Sequence, residues 1–243
     1  MFQDSLSIAT RDFKGFFGTP LGWIAACILF LVSGIVFFIV VQMLLNRGQS
    51  IDPAGDVFGQ ILGFLNYINI FVIPAFTMRV MSEEYQTGSY RVLSSAPISS
   101  WSIVFGKFLG VMMYFGVLGL CLSIYPLFTY IFTVPDLKVI FSGWLGLMLN
   151  TATIVSIGLF IGSLTKNQVI SYLGASFFII LFIFSSFIPS VPEWYKHSVN
   201  LLDLSNDMTR GVIKTSTIAN FVAICGLFLF LSRFVIESKK WSL

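Results

Sequence analysis

The chain has 243 residues, 56% hydrophobic and 10% charged, with 27 Phe and a mean hydropathy of +0.90. A soluble domain carries about 25% charged residues, and a globule in water has nowhere to put this much apolar surface. The net charge of +3 is dispersed, without the Lys/Arg cluster of a nucleic-acid footprint, so no nucleic-acid partner is expected.

Apolar runs of roughly 20 residues, enough to cross a hydrocarbon core about 30 Å thick, recur along the chain and leave no room for a sizeable soluble domain. The runs do not alternate apolar with polar, which argues against barrel strands. The expected architecture is one all-α polytopic membrane domain with six transmembrane helices, an amphipathic helix over 1–17 and a polar loop between the second and third spans. Cys27, Cys121 and Cys225 each lie inside an apolar run. They lack the spacing of a metal set or a disulfide framework and read as small packing residues. The first 17 residues are too polar for a signal peptide and the following run too long for a signal core, so the first span is expected to remain in the mature protein.

In residues 1–17, Phe2, Leu6, Ala9, Phe13 and Phe16 recur at helical period, forming one apolar stripe with Arg11 and Lys14 turned elsewhere. Such a helix fits the plane of a membrane interface, in contact with lipid, or a seat on protein, or both. Gly15, Gly18 and Pro20 then turn the chain into the first span, 20–45, with Trp23 at interface depth. After a turn-rich loop, the second span covers 57–79. Its Asn66, Asn69 and Pro74 should face other helices, the two Asn either bonding between helices or touching a transported molecule. The third span is expected over 101–133, with Pro126 kinking or ending it. The short loop VPDLK makes spans three and four antiparallel neighbours, and the fourth span, 141–164, carries Gly158 and Gly162 four residues apart, as close helix packing requires. The fifth span covers 169–188 and the sixth 218–236. Between them lies a loop, 189–217, in which LLDLSNDMTRGVI can form a short helix on the membrane surface and His197 stands without any catalytic or metal-binding companion.

Six spans put both termini on one side. That side holds Arg11, Lys14, Arg79, Arg91, Lys107, Lys166, Arg233, Lys239 and Lys240, nine of the 14 basic residues, so both termini and the loop at 80–100 are expected to be cytoplasmic. In that loop Arg79 and Glu83 are four apart, so SEEYQ can continue the second helix into water until Gly88 ends it. Ser89–Ser95 can form a second short helix, stopped by Pro97. On physical grounds the segment is either a docking surface or a solvated loop.

The stretch IPAFTMR followed by SEEYQTGSYRVLSSAPISSWSIVFGKFLG resembles the loop joining spans two and three of ABC-2 type transporter permeases. That loop typically has an acidic pair, a Gly-Thr, an acid, Leu-Leu, Pro-Ile-Ser and, about ten residues on, Gly-Lys. Glu83, Glu84, Gly88, Leu93, Pro97, Ile98, Ser99, Gly106 and Lys107 fit it in register, while Ser89 replaces the Thr and Arg91 stands where an acid is common. FFGTPLGWIAACILFLVSGIVFF, FIGSLTKNQVISYL, RGVIKTSTIANF and SRFVIESKKW resemble the gliding-motility-associated GldF-like permeases across nearly the whole chain. The resemblance implies a permease subunit in a bacterial inner membrane, working with a second permease subunit, the same or related. ATP and Mg would be bound by a separate ABC ATPase partner, with no cofactor in this chain. Motion would arrive through the helix carrying Phe2, Leu6, Phe13 and Phe16 and through the segment carrying Arg79, Glu83, Glu84, Gly88, Arg91 and Pro97, with Lys107 anchoring the third span. The alternative is a membrane anchor or force-transmitting subunit of a motility or envelope complex that moves no solute. The chain itself is not expected to be an enzyme. It has no G-x-x-x-x-G-K-[ST] phosphate loop, since Gly106-Lys107 lacks both the upstream Gly and the following Ser/Thr.

Overall fold

The computed structural model describes residues 2–47, 53–88, 99–129, 137–184 and 200–241. The first helix, α1 (Phe2–Phe17), carries Asp4 in its first turn and Lys14 in its last, each complementing the end dipole beside it. Gly18 closes α1 by donating its N–H to the Lys14 carbonyl at 3.2 Å. Pro20 then opens α2 (Pro20–Arg47), at a position where its missing N–H costs nothing. α3 (Pro53–Met78) passes without a break into a wider π turn at Arg79–Glu83 and then a single α turn, α4 (Glu84–Thr87). α5 (Ser100–Leu122) is capped by Ser99, whose Oγ accepts the Ser102 N–H at 3.1 Å.

The third span is shorter than the expected 101–133. α5 stops at Leu122, and a separate short helix, α6 (Ile124–Thr129), follows. Pro126 is the cause: it has no N–H to give the Leu122 carbonyl, and its ring collides with that carbonyl in a continuous helix. The remaining helices are α7 (Leu137–Leu164), α8 (Gln168–Phe184), α9 (Leu201–Thr209) and α10 (Thr215–Trp241).

Five of these helices are long and apolar enough to cross a membrane: α2, α3 with its continuation, α5, α7 and α10. α8 is apolar but has 17 residues, and residues 185–188 of the expected fifth span lie outside the described residues. α7 is the hub and touches α3, α5, α8, α9 and α10. Its small residues permit this. A Cβ on Gly158 would collide with the Thr77 side chain, one on Gly162 would lie 3.1 Å from Met81 Cβ, and one on Gly143 would lie 2.5 Å from Leu62. The Gly158/Gly162 pair is therefore the seat of α3. The two Asn residues of the second span face inward. Asn150 Nδ2 donates to Asn66 Oδ1 at 2.8 Å, joining α7 to α3, and Asn69 is buried nearby on α3. Outward-facing apolar side chains remain on α2 (Ile24, Leu31, Phe38), α8 (Leu173, Phe177) and α10 (Leu227, Phe230), the surface a bilayer covers at no cost.

The segment at 201–209 forms the expected short helix. α9 packs between α3 and α7 at the end of the bundle opposite α1, with Leu201, Leu202, Leu204 and Met208 buried. Asn200 caps it by accepting the Leu202 N–H at 3.1 Å, and Ser142 of α7 donates its hydroxyl to the Met208 carbonyl at 2.9 Å. Gly146 makes room for Met208. The other side chain singled out in that loop, His197, lies outside the described residues.

Candidate functional site

The site is built on one face of α5. Gly106, Gly110 and Tyr114 recur every four residues and so stack one above the other along the helix. A Cβ on Gly106 would sit 2.8 Å from Ile8 Cβ and 2.9 Å from the Ser5 carbonyl oxygen; one on Gly110 would sit 3.1 Å from the Ala9 carbonyl oxygen. The two glycines thus clear a bed in which α1 lies backbone against backbone. Tyr114 fixes the far end. Its hydroxyl donates to the Gly22 carbonyl at 2.6 Å, and its ring packs against Phe16, Phe17 and Phe76 with centroids 5.5, 5.2 and 4.9 Å away.

Seating α1 this way rotates its buried face from the expected stripe. Ser5, Ile8, Ala9 and Phe16 are buried, Leu6 is exposed, and Phe13 is half-buried, edge-on to Phe17. The Phe2 side chain lies outside the described residues. Hydrophobicity alone pointed at Leu6 and Phe13. The actual contact is governed by where the glycines of α5 allow close approach, and that face includes the polar Ser5 and Asp12.

Beside Gly106, Lys107 is completely buried, which a cation tolerates only when paired and hydrogen-bonded. Its Nζ donates to the Val80 carbonyl at 2.6 Å, lies 2.6 Å from Glu84 Oε2 and 4.0 Å from Asp12 Oδ2. Arg11 completes the group, with Nη2 2.7 Å from Glu84 Oε1 and 2.8 Å from Asp12 Oδ1. Two cations and two carboxylates therefore balance, and the four side chains come from α1, α4 and α5. Burial works against the Arg11 charge, but Asp12 and Glu84 outweigh it and raise its pKa, so Arg11 stays charged at any pH the protein meets.

The π turn presents the Val80 carbonyl to Lys107. Within this turn Val80, Met81 and Ser82 are buried, while Arg79 Nε pairs with Glu83 Oε2 at 3.0 Å nearer the surface. The opening part of the 80–100 segment is thus packed and is no solvated loop. Ser82 Oγ donates to the Gly162 carbonyl at 3.3 Å, and Lys239 Nζ donates to the Ser163 carbonyl at 2.6 Å while standing 4.1 Å above the Tyr85 ring. The segment is held from α7 and α10 as well. Gly88 ends α4 with φ of 75°, a left-handed conformation that glycine adopts at no steric cost. A cleft of about 410 Å³ opens between α1 and the π turn, lined by Arg11, Asp12, Phe16, Arg79, Glu83 and Glu84.

Residues 4–214 match the ABC-2 type transporter family. The chain belongs to that family. No curated protein gives a match. As an ABC-2 type protein the chain is the membrane component of an ABC transporter, and members of this family generally work with an ABC ATPase partner. In this ABC-2 chain the expected site residues separate into three groups. Glu84 and Lys107 meet in the buried cluster. Arg79, Glu83 and Gly88 lie beside it, nearer the surface. Arg91, Pro97 and the suggested helix at 89–95 lie outside the described residues. Arg11 and Asp12 were not foreseen as members. One signal pointed to them: a lysine seven residues into an apolar helix needs a counter-ion, and Asp12 is the carboxylate on the α1 face that shares Ala9 and Phe16. Among the described residues no group of His, Cys, Asp and Glu is placed to hold a metal ion.

Proposed function

We propose that this chain is the permease subunit of an ABC transporter in a bacterial inner membrane and receives the motion of a separate ATPase through α1 and the π turn with α4. The observation that carries this reading is the buried Lys107–Glu84 pair with Arg11 and Asp12, because it ties the surface helix, the exposed end of α3 and the third span into one unit. A push on α4 in such a unit moves α1 and α5 together. The ATP and Mg belong to the partner ATPase. The basic-residue balance supports placing both termini in the cytoplasm. α8 serves as the remaining span of six: its 17 residues cover about 26 Å at 1.5 Å per residue. The apolar outer faces of α2, α8 and α10 give a second permease subunit surface to pack on. The GldF-like resemblance supports a motility or envelope role.

Co-purification tests the docking. Glu83→Ala changes a carboxylate that is 40% exposed, whereas Glu84→Ala also opens the buried cluster. The double substitution is expected to strip the ATPase from the detergent-purified complex, and Glu83→Ala alone to weaken its retention without lowering the melting temperature. An ATPase retained in full by the double variant overturns the assignment. ATP turnover in reconstituted vesicles that rises with a candidate cargo supports transport; turnover indifferent to every cargo supports the anchor reading.

A further inference from the structure

Between α2, α3, α5 and α7, near the middle of the bundle, lies a cavity of about 10 Å³ whose lining includes Leu29, Leu65, Asn69, Phe115, Leu118 and Thr151. Most of this wall is apolar, yet two polar side chains from different helices reach it. Asn69 is 3% exposed and Thr151 is 1% exposed. Asn69 Oδ1 has no hydrogen-bond partner among the described residues. An amide oxygen left unbonded at membrane depth is expensive, and native structures almost always supply it with a partner. One turn along, the same two helices meet through the 2.8 Å bond from Asn150 Nδ2 to Asn66 Oδ1, while Asn150 Oδ1 and Asn66 Nδ2 have no partner among the described residues. At Asn69 and Thr151 the gap is at the lower limit of the space that holds one water molecule, which needs two to four polar partners.

We propose that this cavity binds a single water molecule, which donates one hydrogen to Asn69 Oδ1 and shares a hydrogen bond with the Thr151 hydroxyl. The water is a structural ligand that extends the Asn66–Asn150 bond into a two-step polar seam between α3 and α7. It is independent of the ATPase contact, which lies at the end of the bundle.

Two measurements test it. A map of the complete transporter in lipid nanodiscs, fine enough to show other ordered buried waters, is expected to show a peak within hydrogen-bond distance of both Asn69 and Thr151; its absence overturns the site. Thermal unfolding of Asn69→Leu, Thr151→Val and the double variant in detergent gives the second. Each single change strands the water or its other partner, so each is expected to lower the midpoint, and the double variant is expected to fall no further than the worse single. Decrements that add overturn the bridge. The map is recorded on the unaltered chain and decides the matter even where a variant fails to fold.

Discussion

Replacing Lys107 by Met keeps most of the side-chain volume and removes the charge. Glu84, whose side chain is 18% exposed, and Asp12, 11% exposed, would then face each other with only Arg11 between them, and the Val80 carbonyl would lose its donor. Breaking a buried ion pair from one side costs about 3–5 kcal/mol. Arg11 still holds one oxygen of each carboxylate, so the lower end, about 3 kcal/mol, is the expected loss. For a chain of this size about 1 kcal/mol shifts the melting temperature by roughly 2–4 °C, giving a drop of about 6–12 °C. Tryptophan fluorescence during heating in detergent reads this, since the chain has five Trp. Adding Glu84→Gln removes the stranded charge, and the double variant is expected to recover much of the loss. A Lys107→Met protein that melts with the parent, or a double variant worse than both singles, refutes the idea that this cluster is a balanced buried network.

Gly106→Leu is expected to lift α1 from its bed and destabilise by about 1–3 kcal/mol, read as faster cross-linking of a cysteine placed at Ser5 to a soluble maleimide. Tyr114→Phe removes the bond to Gly22 at 2.6 Å and should cost about 1 kcal/mol in the same melting assay, with the aromatic packing intact. Asn66→Leu and Asn150→Leu should each cost about 1 kcal/mol and couple in a double-mutant cycle, as interhelical polar bonds in membranes do. Arg11→Gln should cost under about 1 kcal/mol, because its side chain is 54% exposed and solvent screens it. The raised pKa of Arg11 carries a sign: its stabilisation is present at all lower pH and is lost only as pH rises through the folded value. Melting followed across neutral pH should therefore show no step that Arg11→Gln abolishes.

The helices and most of their limits were legible because long apolar runs, Pro20 and Gly88 act locally. The inward placement of Asn66 and the packing role of Gly158 and Gly162 were legible for the same reason: polarity and small size mean one thing inside a membrane. The end of α5 was misplaced because Pro126 acts backward, on the carbonyl four residues before it, and the break therefore falls at Leu122–Ser123. The face of α1 that seats on α5 was not legible, because hydrophobic periodicity ranks side chains by solvent preference without telling lipid from protein, whereas the seat is set by two glycines nearly 100 positions away in the chain. The short helix α9 was legible, but its packing was not, because that depends on Gly146 and Ser142, which no local pattern links to it. Glu84 was legible only as part of an acidic pair. Its distinction from Glu83 arises from the π turn, which points one carboxylate into the protein and leaves the other with Arg79 at the surface.

The buried cluster also constrains how the protein is made. Arg11 and Glu84 are 73 residues apart, and Tyr114 reaches back 92 residues to Gly22. At about 5–20 residues per second the ribosome needs roughly 4–15 s to span the first of these distances. During that interval α1 and the first span have emerged without the glycine bed and the lysine that receive them. Arg11 and Asp12, the polar residues of the waiting helix, later become its attachment to Glu84 and Lys107. Arrival of Lys107 closes the arrangement, so a nascent chain stalled before α5 leaves Ile8 and Phe16 without the α5 surface that buries them.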